Sequence, residues 1–323
     1  MSKENITSSE QTKAELRGRR DIPIFYHPDW LDIVCGEGQY FYLDVRNGGG
    51  ALMAFMPVCL KNKYGIRAMT MPRLTPYGGV FFMPEVTEGK RTTVYTKVKK
   101  TVEDLLDQLQ NYAFIGVSSF PDFPDAQVFN WKGFKSSVRY TYLIDGNTDV
   151  DTYESALDSK MRNSISTAHP VIELVHSNDV DLFFEINQET FNRKQVEMIY
   201  DIGLVREIFE RFQNHDFYKA EISLAYENSQ PTAGILVMKD TYSTYYLLSG
   251  RKKEANRGAV GVLLDTAIRK SLNEGLNFDF EGSNLKGVEP FFRAFGGKLT
   301  PVYHFNRTSN LFMRLLFTAL GKV

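Results

Sequence analysis

The stretch NFDFEGSNLKGVEPFFRAFGGKLTPVYHFN (Asn277–Asn306) has a counterpart about half a chain earlier, AFIGVSSFPDFPDAQVFNWKGFKSSVRYTYLI (Ala113–Ile144). At an offset of 163 residues Phe292 falls on Phe129, Gly296 on Gly133, Lys298 on Lys135 and Tyr303 on Tyr140. A repeat of that length means two structural units of one plan, and every element must be placed twice.

The order of elements repeats as well. In the second half, Phe217–Gly250 alternates apolar and polar residues, with turn signals at Asn228–Pro231 and Lys239–Asp240, which predicts three antiparallel strands. Val262, Leu263, Ala267, Ile268 and Leu272 have helical spacing and predict a helix over Gly258–Asn273, ended by Gly275. A short strand NFDFEG, a helix around VEPFFRAF and a last strand KLTPVYHFN follow. The first half has a hairpin around Asn47–Gly50, a third strand IRAMTM, a helix VYTKVKKTVEDLLDQLQ, the strand AFIGVSS, a helix AQVFNW and the strand FKSSVRYTYLID. Between the halves, DTYESALDSKMRNSISTAHP reads as a linking helix ending at Pro170, and two further helices are expected at Asp179–Arg193 and Gly203–Asn214.

Composition narrows the class. The 323 residues are 43% hydrophobic and 24% charged, enough for full globular cores. A net charge of −1 gives no bulk attraction to nucleic acid or anionic lipid, so no DNA partner is expected. Cys35 and Cys59 lack metal-ligand spacing and are too few for a disulfide framework. The five histidines also lack metal spacing, and His169 and His176 read as structural or exposed, so no metal is expected. The polar N-terminus has no apolar run and reads as a frayed tail over 1–21. A cytoplasmic protein is the simplest reading.

Strand–strand–strand, glycine-bearing loop, helix, strand, helix, glycine, strand is an order that resembles the GNAT acyltransferase fold. Two such units joined through KMRNSISTAH (Lys160–His169) resemble the Fem-type, FemAB-like branch of that superfamily. The resemblance covers nearly the whole chain from about Ile22. It rests on KMRNSISTA, on YYLLSGRKKEANRGAVGVLLDTAIRKSLNEG and on FDFEGSNLKGVEPFFRAFGGK, in that order. It implies an α+β fold of two tandem GNAT-like units, each a mixed, mostly antiparallel sheet flanked by helices. The expected division is 22–150 for the first unit, 151–170 for the linking helix, 171–309 for the second unit and 310–323 for an apolar C-terminal helix.

The resemblance implies an acyl-CoA donor such as acetyl-CoA, which brings a pyrophosphate. Unpaired N–H groups and the dipole at a helix N-terminus suit such an anion. In GRKKEANRGAVG, Gly250 ends a strand, Gly258 and Gly261 open a helix, and Arg251, Lys252, Lys253 and Arg257 add positive charge. The first half offers GGVFFMPEVTEGKRTTV at that place, so the donor site is expected in the second unit. The same basic loop also reads as a solvated turn feeding an ordinary helix. Ala255, three residues before Gly258, departs from the superfamily's usual phosphate-loop register, which leaves aminoacyl-tRNA, used in the Fem-type branch, as a second donor.

Amine acylation needs a proton acceptor. Strand alternation puts Asp279 and Glu281 on one face, with Glu281 nearer the strand end and the first choice as base. Ser118 holds the equivalent place in the first half, which fits one active and one retired unit. The Tyr that many GNAT enzymes carry four residues before the last glycine is Phe292 here, so either the thiolate leaves unassisted or another group, such as Tyr303 or Tyr246, is the acid. Both also read as strand-packing residues. The resemblance also implies an acceptor, since those of Fem-type enzymes are often amines on sugar or peptidoglycan precursors, which carry phosphates. Arg162, Asn163 and Arg193, with Lys194, are candidates to hold such an anionic substrate, and Tyr77 in PRLTPYGG to line the cleft. The apolar tail NLFMRLLFTALGKV could dock on protein or lie in a membrane surface, making the protein membrane-peripheral. The expected activity is N-acyl transfer from acyl-CoA to an amine of a cell-envelope or glycan precursor. The competing expectations are an aminoacyl-tRNA-dependent transferase and a non-catalytic module that kept the fold.

Overall fold

The computed structural model describes residues 3–63, 65–110, 112–282, 285–310, 313 and 315, and the chain divides into a first unit, 1–139 with 301–323, and a second, 140–300. The first unit runs α1 (Lys3–Arg17), α2 (Pro28–Cys35), β1 (Tyr40–Arg46), β2 (Leu52–Lys63), β3 (Ile66–Met69), β4 (Phe81–Phe82), α3 (Pro84–Thr87), α4 (Arg91–Asp107), β5 (Phe114–Ser118) and α5 (Gln127–Trp131). The chain crosses between units along β6 (Lys135–Ile144). It continues through α6 (Val150–Ala156), α7 (Ser159–Ala168), β7 (Glu173–Ser177), α8 (Val180–Lys194), α9 (Ile202–Phe212), β8 (Lys219–Glu227), β9 (Gln230–Lys239), β10 (Ser243–Arg251), α10 (Ala259–Asn273), β11 (Asn277–Asp279) and α11 (Glu289–Arg293). It returns within β12 (Lys298–Thr308).

In the first unit the strand order is β1-β2-β3-β5-β12, with β4 on β2, and only β3 and β5 run parallel. Val98, Val102 and Leu105, one face of α4, pack with Ala54, Met56 and Ile115. The segment expected to fray is instead α1. It buries Ser9, Thr12 and Leu16 against β1, where the Tyr42 N–H donates to Ser9 Oγ at 3.0 Å and Arg46 donates to Thr12 Oγ1 at 2.9 Å. Polar anchors to an edge strand replace the apolar stripe that would announce a helix.

In the second unit the order is β6-β11-β10-β9-β8-β7, and β10 and β11 are the parallel pair. Val262, Leu263, Ile268 and Leu272 of α10 pack with Ile235, Val237 and Phe278. The segment read as one linking helix is two, α6 and α7, both inside this unit. They break at Leu157, and the Asp158 carboxylate caps α7 by accepting the Lys160 N–H at 2.9 Å. Gly296, at φ +77°, ends the turn after α11, where a Cβ would stand 2.6 Å from the Ala156 carbonyl oxygen.

The unit boundaries fall inside two strands, at 139/140 and 300/301, where the sequence places them at 150 and 171. Leu143 and Ile144 at the end of β6 pair with Asp279 and Phe278 of β11. His304–Thr308 of β12 pair with Ser118–Phe114 of β5. The last strand of each repeat therefore completes the sheet of the other unit, and local sequence carries no sign of which sheet a strand will join. The expected C-terminal helix lies largely outside the described residues, although Met313 and Leu315 are helical. Among the described residues no helix is long and apolar enough to cross a membrane.

Candidate active site

The second unit opens where β10 and β11 part. They pair only through Ser243–Tyr245 against Asn277–Asp279, after which β10 runs on to Arg251 and β11 stops. Asp279 ends it. Its buried carboxylate accepts the Thr141 hydroxyl at 2.6 Å and the Glu281 N–H at 2.8 Å, a side chain-to-backbone turn that draws the chain out of the strand. Glu281 consequently takes φ +58°. On the other edge of β10 the register with β9 slips between Tyr246 and Leu248, leaving Leu247 as a bulge. Between the parted strands lies a cleft of about 720 Å³.

Strand β10 loses its β11 neighbour there, and α8 supplies the missing hydrogen bonds. Asn187 Nδ2 donates to the Ser249 carbonyl at 2.5 Å, and Thr190 Oγ1 accepts the Arg251 N–H at 2.8 Å. Arg193 donates to the Arg251 carbonyl at 2.8 Å. The Tyr200 hydroxyl holds Asn187 Oδ1 at 2.9 Å. Gly250 is required for this approach, since a Cβ would stand 2.4 Å from the Asn187 N and Cα. Asn187 and Thr190 are site residues that the sequence reading passes over. Their signal is the spacing of 187, 190 and 193 along one helix face.

Glu281 lines this cleft, and its Oε1 is buried with no hydrogen-bond partner. Burial, and then the neighbouring Asp279 carboxylate, raise its pKa well above the usual 4.5. Around it stand Tyr246, Phe280 and Phe292, with ring centroids 5.1 to 6.3 Å apart. The Tyr246 hydroxyl donates to Ser249 Oγ, and burial pushes its pKa up to about 12. Phe292 lines the cleft at the position where the resemblance implies a tyrosine.

One wall is cationic, formed by Arg193 and Lys194 at the end of α8, Arg251 at the end of β10, and Arg257 before α10. Desolvation, then the nearby Arg193 and Arg257, lower the Arg251 pKa, as expected for like charges held together. Neither Arg251 nor Arg257 has a carboxylate at ion-pair distance among the described residues, while Arg193 reaches Glu189 at 3.9 Å.

The other candidates lie elsewhere. Asp279 shares the turn with Glu281 but points into the buried Thr141 contact, because the φ +58° backbone breaks the alternation that put both carboxylates on one face. Tyr303 and Tyr77 belong to the first unit: Tyr303 stacks on Phe305 at 6.0 Å, and Tyr77 is buried against Phe25 and Phe120. Arg162 clamps the carbonyls of Glu154, Ser155 and Leu157, and Asn163 is exposed on α7. Lys252 faces Glu185 at 3.9 Å and is not among the lining residues. Gly258 and Gly261 face α7. A Cβ on Gly258 would stand 2.7 Å from Ala168 Cβ and the Ser164 carbonyl oxygen, and one on Gly261 would stand 3.4 Å from Met161 Sδ. Both glycines therefore serve the packing of α10 on α7. In the first unit, Ser118 at the place equivalent to Glu281 has its hydroxyl 3.1 Å from His304 Nδ1.

No protein-family model matches the sequence, and no curated protein matches it in sequence. Solved structures match in three dimensions. The chain is similar to FemX at TM-score 0.69 and 12% identity, over 95% of this chain and 97% of that one. It is similar to the C-terminal domain of a protein from Agrobacterium fabrum described as a lysylphosphatidylglycerol synthetase, at TM-score 0.56 and 14% identity, over 96% and 99%. It is similar to L-PGS from Bacillus licheniformis at TM-score 0.52 and 11% identity, over 86% and 88%. The chain shares the α+β fold of FemX over nearly its whole length.

Proposed function

We propose that the second unit transfers an acyl or aminoacyl group from an activated, phosphate-bearing carrier to an amine. The observation that carries this reading is the Glu281 carboxyl, whose Oε1 is buried without a partner, in a cleft with a cationic wall. A carboxyl held this way has one acceptor oxygen unused and a raised affinity for a proton, as a base for a neutral amine requires.

The carrier is acyl-CoA. Arg251 and Arg257, with Arg193 and Lys194, receive its phosphates, since guanidinium groups match phosphate oxygens in pairs. The amine nitrogen attacks the thioester carbonyl, the N–C bond forms, and Glu281 takes the proton the nitrogen sheds. The C–S bond then breaks and the thiolate leaves, protonated by water, because Phe292 offers no acid and the Tyr246 hydroxyl is engaged by Ser249. The acceptor is an amine on a cell-envelope or glycan precursor, following the Fem-type resemblance, and the setting is the cytoplasm, where acyl-CoA is available. A second reading, an aminoacyl-tRNA donor, draws on the same four basic side chains, which suit the phosphodiesters of an RNA chain as well as the phosphates of CoA.

Thermal unfolding with and without CoA and acetyl-CoA tests the donor. A ligand at a hundred times its dissociation constant adds about 2.7 kcal/mol to native stability, a shift of several degrees for a unit of this size. Turnover is then followed as free thiol released with a panel of amines, and Glu281→Gln is expected to lower it about 10²- to 10⁴-fold while the CoA shift persists. No shift at millimolar CoA, together with transfer from aminoacyl-tRNA, moves the donor to tRNA. Binding without turnover for any amine makes the protein a ligand-binding module.

A further inference from the structure

The cleft is two-faced. Opposite in character to the arginine wall is an apolar one built by the segment after β11: Phe280, Leu285, Val288, Phe291 and Phe292. Phe280 is core, at 2% exposed, but the other four are not packed away. Leu285 is 71% exposed, and Phe291 and Phe292 keep part of their surface open. Phe291 and Phe292 stand 6.0 Å apart, backed by Phe280 at 5.1 Å from Phe292 and by Phe295 at 5.4 Å from Phe291, so the open faces rest on an aromatic layer. Val260 and Phe191 extend apolar lining toward the cationic side. Glu281 belongs to the segment that forms the apolar wall, so the proton acceptor and the apolar surface share one side of the cleft.

Uncovered apolar surface in a concavity is stabilised by a ligand that removes it from water, by about 25 cal/mol per Å². A two-carbon acetyl group covers little of such a wall, and the 720 Å³ opening lies in the range that takes a whole drug-sized ligand, about 300–1,000 Å³. Fixed positive charge on one wall and bare hydrocarbon on the other match one kind of molecule, an apolar chain attached to a phosphorylated head.

We infer that the group this cleft accepts from its carrier is an apolar acyl chain of several carbons, lying on Val288, Phe291 and Phe292 while Arg193, Arg251 and Arg257 hold the carrier's phosphates. This rests on the acyl-CoA reading and adds the identity of the acyl class to it.

The test is equilibrium binding of free CoA and of acetyl-, butyryl-, hexanoyl- and octanoyl-CoA to the full chain, by competition against a fluorescent CoA analogue. Burial of each methylene strengthens binding roughly 3- to 4-fold, so the dissociation constant falls about tenfold for every two carbons added. Val288→Asp places a carboxylate in the chain's path. It is expected to flatten that dependence while free CoA still binds, which shows that the variant is folded. Acetyl- and octanoyl-CoA binding within threefold of each other, with free CoA bound, overturns the apolar-chain inference and leaves the transferase reading standing. A chain-length dependence unchanged in Val288→Asp overturns the assignment to this wall. If no CoA species binds, the donor reading fails and the inference falls with it.

Discussion

Glu281→Gln changes one oxygen for an amide and removes a titration, and its effect on stability can be worked out before any substrate is known. A free glutamate ionises near 4.5, whereas Glu281 in the folded chain holds its proton to higher pH because its carboxyl is buried beside Asp279. Below 4.5 both states are protonated and the residue is neutral to folding. As pH rises past 4.5 the unfolded chain releases this proton and the folded chain does not, so stability falls by about 1.4 kcal/mol per pH unit until the folded carboxyl ionises as well. The glutamine variant lacks this loss and carries only a pH-independent offset from its own buried amide. At roughly 2–4 °C per kcal/mol, the melting temperature of Glu281→Gln relative to wild type should climb by about 3–6 °C per pH unit above 4.5. Calorimetry of both proteins at half-unit steps from pH 4.5 to 8 reads this directly. A difference that stays flat means that Glu281 titrates as a solvated carboxyl, and the buried base is then lost as the basis for the proposed chemistry.

Three further outcomes are expected. Gly250→Ala forces a methyl into the Asn187 backbone, 2.4 Å away, and should cost about 1–3 kcal/mol by urea unfolding; a neutral result would mean that α8 does not press on β10. Arg257→Ala, which removes a guanidinium without an ion-pair partner, should weaken CoA binding and make it less sensitive to salt, as seen by titration at two ionic strengths. His304, held near pKa 4 by burial and then by Arg139, should stay neutral from pH 8 to 5 in an NMR titration. Its contribution to stability then falls as pH drops from 6.5 toward 4, where only the unfolded imidazole gains a proton.

Much of the fold is legible because it depends on periodicity. The hairpin at Asn47–Gly50, strands β8 to β10 and helix α10 sit within a few residues of where alternation and helical spacing put them. Helix α1 is hidden because its anchors are hydroxyls bonded to an edge strand. The site divides the same way. Glu281 and the arginines of GRKKEANR stand out by chemical type near a strand end. The separate roles of Asp279 and Glu281 do not, because they follow from a single left-handed residue that alternation cannot anticipate. Gly258 and Gly261 are ambiguous for a related reason: small residues suit a phosphate and a neighbouring helix equally, and the contact with Ala168, Ser164 and Met161 of α7 is not readable from their spacing.

The exchange of last strands has a consequence during synthesis. Strand β5 is translated early, yet its partner β12 lies beyond the whole second unit, with residues 140–300 between them. At about 5–20 residues per second the ribosome needs on the order of ten seconds or more to make that stretch. For that interval the nascent chain carries β5 with one edge unpaired, and an open edge invites pairing with other chains. The first repeat is thus the first to be made and the last to be finished, and the yield of folded protein in a cell should depend on how quickly synthesis runs through the second repeat and on the holding chaperones present while it does.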